Sequence, residues 1–198
     1  MNDIPIDVFI DLPPSPEPVQ AGRLWSHFRK GRESASFEYN REWLANPYRF
    51  ALEPLLPLAD GTFHTTPGQS VFGAIGDSTP DRWGRILMRR AELARARAAN
   101  ESPRTLSELD YLLRVNDEAR QGALRFSQDG GQSFCAPPGA TPIPPLVNLS
   151  RLLHAADHFC RDDENAEDLR LLLAPGSSLG GARPKLSLIH ISEPTRPY

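Results

Sequence analysis

An α+β fold, a small antiparallel β-rich unit with helices, is predicted by three features of the sequence. Short apolar segments with a period near two fill the first fifty residues. Helical patterns with recognisable starts follow from Thr79 onward. The 20 prolines among 198 residues, about twice ordinary usage, exclude a long uninterrupted bundle or coiled coil.

Ile4 to Leu12 carries Ile6, Val8, Ile10 and Leu12 in alternation, interrupted by Phe9, and reads as a strand. Pro13, Pro14, Pro16 and Pro18 make an extended connection. Val19–Trp25 and Ser34–Tyr39 read as further strands, the second alternating Ala35, Phe37 and Tyr39. Glu42-Trp43-Leu44 is a short helical turn, and Phe50-Ala51-Leu52 is a return strand ended by Pro54. Together these predict a small antiparallel barrel or curled sheet.

Thr79-Pro80-Asp81 combines a hydroxyl N-cap, a proline at the first helical position and a carboxylate in the first turn. It predicts a helix running to about Ala99. Trp83, Leu87, Ala91, Ala94 and Ala98 share one face, with Arg82, Arg85 and Arg89 opposite. Thr105-Leu106-Ser107-Glu108 reads as a capping box before Leu109, Leu112 and Leu113. Asn116-Asp117 makes a turn, and Gly122–Phe126 a strand. The predicted organisation is a first unit over 1–127 and a Pro/Gly-rich linker over 128–146. Beyond it, Asn148 caps a helix with Leu149, Leu152, Leu153, Ala156 and Phe159 in one stripe. Asn165 opens another with Leu169, Leu172 and Leu173, stopped at Pro175-Gly176.

A chain of this length can bury a core without staples. A net charge of -3 excludes a wholly basic nucleic-acid binder but not a local basic patch. No apolar run approaches the roughly 18 residues of a membrane span. The start, Met1 to Pro5, has no secretion-signal pattern. The two cysteines, Cys135 and Cys160, form no disulfide framework. These features predict a cytoplasmic protein without membrane contact. Leu186–Arg196 back-translates into a sequencing-library adapter, so 186–198 is expected to be an adapter translation and the chain a truncated product.

Four groups carry possible chemistry. Ser177-Ser178-Leu179-Gly180-Gly181-Ala182-Arg183-Pro184-Lys185 offers glycine backbone N–H groups, hydroxyls and cations to an anion. By local chemistry it reads either as a phosphate cradle or as an ordinary Gly-rich turn. His154 and His158, four apart beside Asp157 and Cys160, have metal-ligand spacing, but a solvated helix face explains them better and no metal site is expected. The arginines at 82, 85, 89, 90, 95 and 97 can track phosphates, meet an acidic partner or simply face solvent. Cys135 has no evident base beside it, so no catalytic role is assigned to it.

Ser36-Phe37-Glu38-Tyr39, Glu42-Trp43-Leu44 and Phe50-Ala51-Leu52, in that order along the chain, are similar to the opening of the HipA-like serine/threonine kinases, the toxins of bacterial toxin–antitoxin pairs. Val71-Phe72-Gly73-Ala74-Ile75-Gly76-Asp77-Ser78-Thr79-Pro80-Asp81-Arg82-Trp83-Gly84-Arg85 resembles the family's "FGAL.D..PD.WGR" signature. Leu109–Leu113 followed by Gly122–Phe126 resembles its "LDYLL…GALRF" continuation, and Ser177–Lys185 its glycine-rich "SS.GGARPK" nucleotide loop.

The resemblance implies that the β-rich unit leads into the beginning of a kinase-like lobe over 147–185. It implies that Gly180, Gly181, Ala182, Arg183, Pro184 and Lys185 contact ATP phosphates. Ser178, with Ser177 as the neighbouring alternative, falls at the regulatory phosphorylation position, where phosphate would eject the loop. ATP and Mg²⁺ are the implied cofactors of the parent kinase. A DNA-binding antitoxin of HipB type is the implied partner, with an unknown protein substrate and no direct nucleic-acid contact. The family's base, Mg²⁺ ligands and strand lysine follow the glycine-rich loop at a distance. No catalytic residue is therefore assigned in this chain, which is expected to be inactive alone. The competing expectation is a non-catalytic antitoxin-docking module.

Overall fold

The structure, a computed structural model, describes residues 5–117, 120–134 and 149–173. Asn148, Cys135, Pro175-Gly176, the Ser177–Lys185 loop and the 186–198 segment lie outside the described residues.

The fold is α+β. Strands β1 (Ile6–Ile10), β2 (Val19–Arg29), β3 (Arg32–Tyr39), β4 (Thr62–His64) and β5 (Leu124–Ser127) form one antiparallel sheet in the order β4-β3-β2-β1-β5. Helices α1 (Arg41–Ala45), α2 (Gly73–Gly76), α3 (Arg82–Ala98), α4 (Glu108–Arg114), α5 (Leu149–Cys160) and α6 (Ala166–Leu173) complete it.

Alternation places one face of the sheet in the core. Ile6 lies opposite Leu24, which lies opposite Phe37, and Val8 sits between Gly22 and Phe126. These residues form one apolar cluster with Tyr39, Trp43, Leu56, Phe72, Ile75 and Leu112. Glycine is required at 22 because a Cβ there would lie 2.3 Å from the Glu38 carbonyl oxygen and 2.5 Å from the Phe37 ring. A bulge between Val8 and Phe9 gives β2 one extra residue, Ala21, whose carbonyl accepts from the Asn40 N–H at 2.8 Å. The opposite face is polar. There the Asp7 carboxylate accepts from Gln20 Nε2 and Arg23 Nε, both at 2.8 Å. Phe9 on this face is covered by residues 128–134: Phe134 meets its ring edge-on, and Gly131 leaves room for it. The start of the expected linker thus packs on the sheet.

A second cluster joins α3 to the α5–α6 hairpin through Leu87, Ala155, Ala156, Phe159, Leu169 and Leu172, with Trp83 edge-on to Phe159. Two expected facings change here. Leu153 is exposed and Ala155 buried, so the α5 stripe is rotated by one position, and Ala98 is exposed past the end of the α3 contact.

Three expectations about local structure are corrected. Phe50–Leu52 is not a strand: the Leu52 N–H donates to the Tyr39 hydroxyl at 3.0 Å, and Phe50 meets the Trp43 ring edge-on. The third strand's outer partner is instead β4, which sequence analysis does not identify. The N-cap of α3 is Asp81, whose carboxylate accepts from the Gly84 N–H at 2.8 Å. Thr79 is occupied otherwise, its hydroxyl donating to the Gly76 carbonyl at 2.6 Å. The α4 capping box is Ser107 with Asp110, not Thr105 with Glu108.

Candidate functional site: an apolar groove beside the motif cluster

The described segments that carry the resemblance up to Phe126 converge in space, and two arginines, one buried and one half-buried, join them. Arg120, with a fully buried side chain, donates from Nη1 to the Ser78 carbonyl at 2.9 Å and from Nη2 to those of Leu112 and Val115 at 3.1 and 3.2 Å. Its guanidinium lies 4.7 Å from the centroid of the Phe126 ring. One side chain therefore holds the end of the 71–85 segment, the end of α4 and strand β5. Removing it would leave three buried carbonyls short of a donor. Arg85 makes the second junction. It grips both carboxylate oxygens of Glu108 at 2.6 and 2.7 Å and donates to Thr79 Oγ1 and the Pro80 carbonyl. It also lies over the Tyr111 ring.

Acidic side chains meet helix starts in the same region, where the backbone N–H groups lack intrahelical acceptors. Glu33 on β3 accepts from the N–H groups of Glu108 and Leu109 at the head of α4. Glu53 accepts from the Ala74 N–H at 2.7 Å at the head of α2. Glu92, only 2% exposed on α3, is bound by Arg95 and Arg114. The hydrogen bond from Arg95 is the main reason its carboxyl is lowered to about 2, against the opposing effect of burial.

Two depressions open on the surface of this cluster. One, of about 200 Å³, is lined by Leu12, Pro13, Pro14, Trp43, Tyr48 and Phe50, among others. The second, of about 360 Å³, is bounded by Leu52, Ala74, Ser78, Gly122 and Leu124. Ile10 and Phe50 line both, so the two are neighbours, and the first forms an apolar groove. Tyr48 is 66% exposed, and Leu12 and Phe50 are each 42% exposed. Sequence analysis assigns Pro13 and Pro14 only to a connection. The role of Arg120 has no recognisable local pattern, because one of its acceptors, the Ser78 carbonyl, is brought to it from a distant segment.

The expected nucleotide-loop residues, Ser177, Ser178, Gly180, Gly181, Ala182, Arg183, Pro184 and Lys185, lie outside the described residues. His158 Nδ1 lies 3.0 Å from Asp168 Oδ2, which raises the imidazole pKa, and its ring stacks beside His154 at 4.4 Å. Among the described residues no group of three His, Cys, Asp or Glu side chains is arranged to hold a metal ion. Half of the α3 arginine strip is paired internally: Arg85 with Glu108, Arg90 with Asp162 and Glu164, and Arg95 with Glu92 and Glu101. No described helix is long and apolar enough to cross a membrane.

A sheet clasped by α2 and α4, with the 71–85 and 122–126 segments joined at its edge, defines the class of protein. The HipA N-terminal domain model matches residues 17–128, more than half of the chain. The chain belongs to the HipA family. A comparison with curated proteins gives no match.

Proposed function

We propose that this chain is the amino-terminal part of a HipA-like toxin kinase, and that its described residues dock a HipB-type antitoxin instead of performing phosphoryl transfer. The groove carries this reading. It places exposed Leu12, Tyr48 and Phe50 beside the segments typical of the family, where an apolar anchor from a partner would remove them from water. The parent kinase would transfer the γ-phosphate of ATP to a protein serine or threonine. In it, Gly180 to Lys185 would cradle the nucleotide phosphates, and Ser178 or Ser177 would take the regulatory phosphate. The family's base and Mg²⁺ ligands follow the glycine-rich loop at a distance, so the chain alone is proposed to be inactive.

Two measurements test this reading. Co-purification with the antitoxin of the neighbouring gene should succeed, and Tyr48→Ala with Phe50→Ala should weaken the complex at least tenfold; an unchanged affinity refutes groove docking. Incubation with labelled ATP should leave the chain unlabelled. Label on Ser177 or Ser178 would show that the chain catalyses by itself.

A further inference from the structure

The hairpin joining β2 to β3 breaks two local rules within four residues. Arg29 and Arg32 are directly opposed across the ribbon, a like-charge pairing that disfavours the hairpin. Lys30 between them adopts a φ of 50°, followed by Gly31 at 74°. Two-residue turns of this kind favour Asn or Asp at the first position, not a long cationic side chain. Phe28 beside them is 57% exposed. None of the three cations forms an ion pair with a described residue, and the carboxylate adjacent in sequence, Glu33, accepts instead from Ser26 and from the head of α4. Local rules broken together, without compensation inside the fold, mark a functional surface.

We infer that this tip, Phe28, Arg29, Lys30 and Arg32, is a docking element for the phosphate backbone of duplex DNA. The ribbon's strands are about 4.8 Å apart. A two-stranded ribbon enters the major groove of B-form DNA, about 12 Å wide, whereas the deep, narrow major groove of an RNA duplex excludes it. The three unpaired cations then meet phosphates on the groove walls, and Phe28 provides apolar contact at the tip. A membrane surface is a poorer match, since a single aromatic residue provides no apolar face to insert. The expectation of no direct nucleic-acid contact concerned the α3 arginines, of which Arg85, Arg90 and Arg95 are internally paired. The inference is independent of groove docking, because the tip contributes no residue to the groove.

The test is fluorescence anisotropy of a labelled 20-base-pair DNA duplex with the full chain between 25 and 200 mM NaCl. Binding should weaken steeply with salt. Combining Arg29→Gln, Lys30→Gln and Arg32→Gln should flatten the log–log salt slope by about 2.7, equivalent to about 40-fold less salt sensitivity between 50 and 200 mM. Arg29→Lys with Arg32→Lys should keep the slope, because charge is retained. Arg82→Gln, Arg89→Gln and Arg97→Gln on α3 should leave binding in place. The inference is overturned by any of four results: no binding at 25 mM salt, an unchanged slope in the triple variant, loss of binding in the α3 variant, or stronger binding to an RNA duplex or to phosphatidylserine vesicles.

Discussion

The sheet core and the α5–α6 hairpin are held by interactions of different kinds. The sheet buries Phe37, Phe72, Phe126, Leu24 and Ile75 completely, with segments far apart in sequence meeting at Arg120. The hairpin rests on one face of α3 through a smaller cluster of mostly Ala and Leu side chains, closed by Phe159. Its remaining ties are Leu173, packed against Met88, Leu106, Tyr111 and Val115, and a set of ion pairs. Arg90 reaches from α3 to Asp162 and Glu164 and lies 4.1 Å from the centroid of the Phe159 ring, while Arg151 pairs with Glu167. A core drawn from many segments unfolds as a unit, whereas a pair of helices on one face can detach alone. The sheet is therefore expected to be the stable frame, and the hairpin the part that opens first.

The largest effect should come from Arg120→Ala. It strands the carbonyls of Ser78, Leu112 and Val115, and should cost about 3–5 kcal/mol in denaturant unfolding. A loss under about 1 kcal/mol would break the claim that one side chain joins the segments of the sheet unit. Acid should reveal the next effect. Glu92 is bound mainly by Arg95 and its carboxyl is lowered to about 2, so its stabilisation is complete above the ordinary carboxylate range. It should be lost as the pH falls from about 5 toward 2, by on the order of 3 kcal/mol. Glu92→Gln should lower stability at neutral pH and flatten that acid limb in a pH series of urea midpoints.

A smaller change should sharpen the contrast between the two regions. Arg90→Ala removes the clamp and its contact with Phe159, and should weaken hairpin attachment by about 1–2 kcal/mol. Hydrogen exchange should accelerate in 149–173 and stay unchanged in β1 to β3. Equal acceleration in both would show that they unfold together. The smallest effect belongs to His158, whose pKa is raised by its hydrogen bond with Asp168. That contribution is present below the ordinary histidine range and lost as the pH rises through the elevated value. Amide protection in α5 and α6 should therefore decline slightly as the pH rises through that elevated value, and His158→Gln should remove that dependence.

Elements with strong periodicity were legible in the sequence. Strands β1 to β3, helices α3 to α6 and strand β5 fall where alternation and helical stripes place them, with ends displaced by a few residues. What escaped was settled by competition between distant groups. Thr79 and Asp81 are both competent N-caps, but the Thr79 hydroxyl is engaged by Gly76 and Arg85, which leaves α3 to Asp81. Glu108 could have closed a capping box with Thr105, but Arg85 holds both its oxygens, so Asp110 serves with Ser107. The candidate groove was legible only as apolar and proline residues scattered over forty positions. Nothing local to Leu12 or Tyr48 predicts that they share a wall.

By itself the sequence determined the α+β class, the order of the strongly periodic elements and the resemblance to the family, because period, capping chemistry and motif spacing are local properties that survive without a fold. Only the tertiary structure decided which cap each helix uses, that Thr62–His64 and not Phe50–Leu52 extends the sheet, and that Arg120 unites three segments. The physical reason is that hydrogen-bond donors and acceptors are shared. When several local choices are nearly equal in energy, the partner brought near by the rest of the chain selects among them.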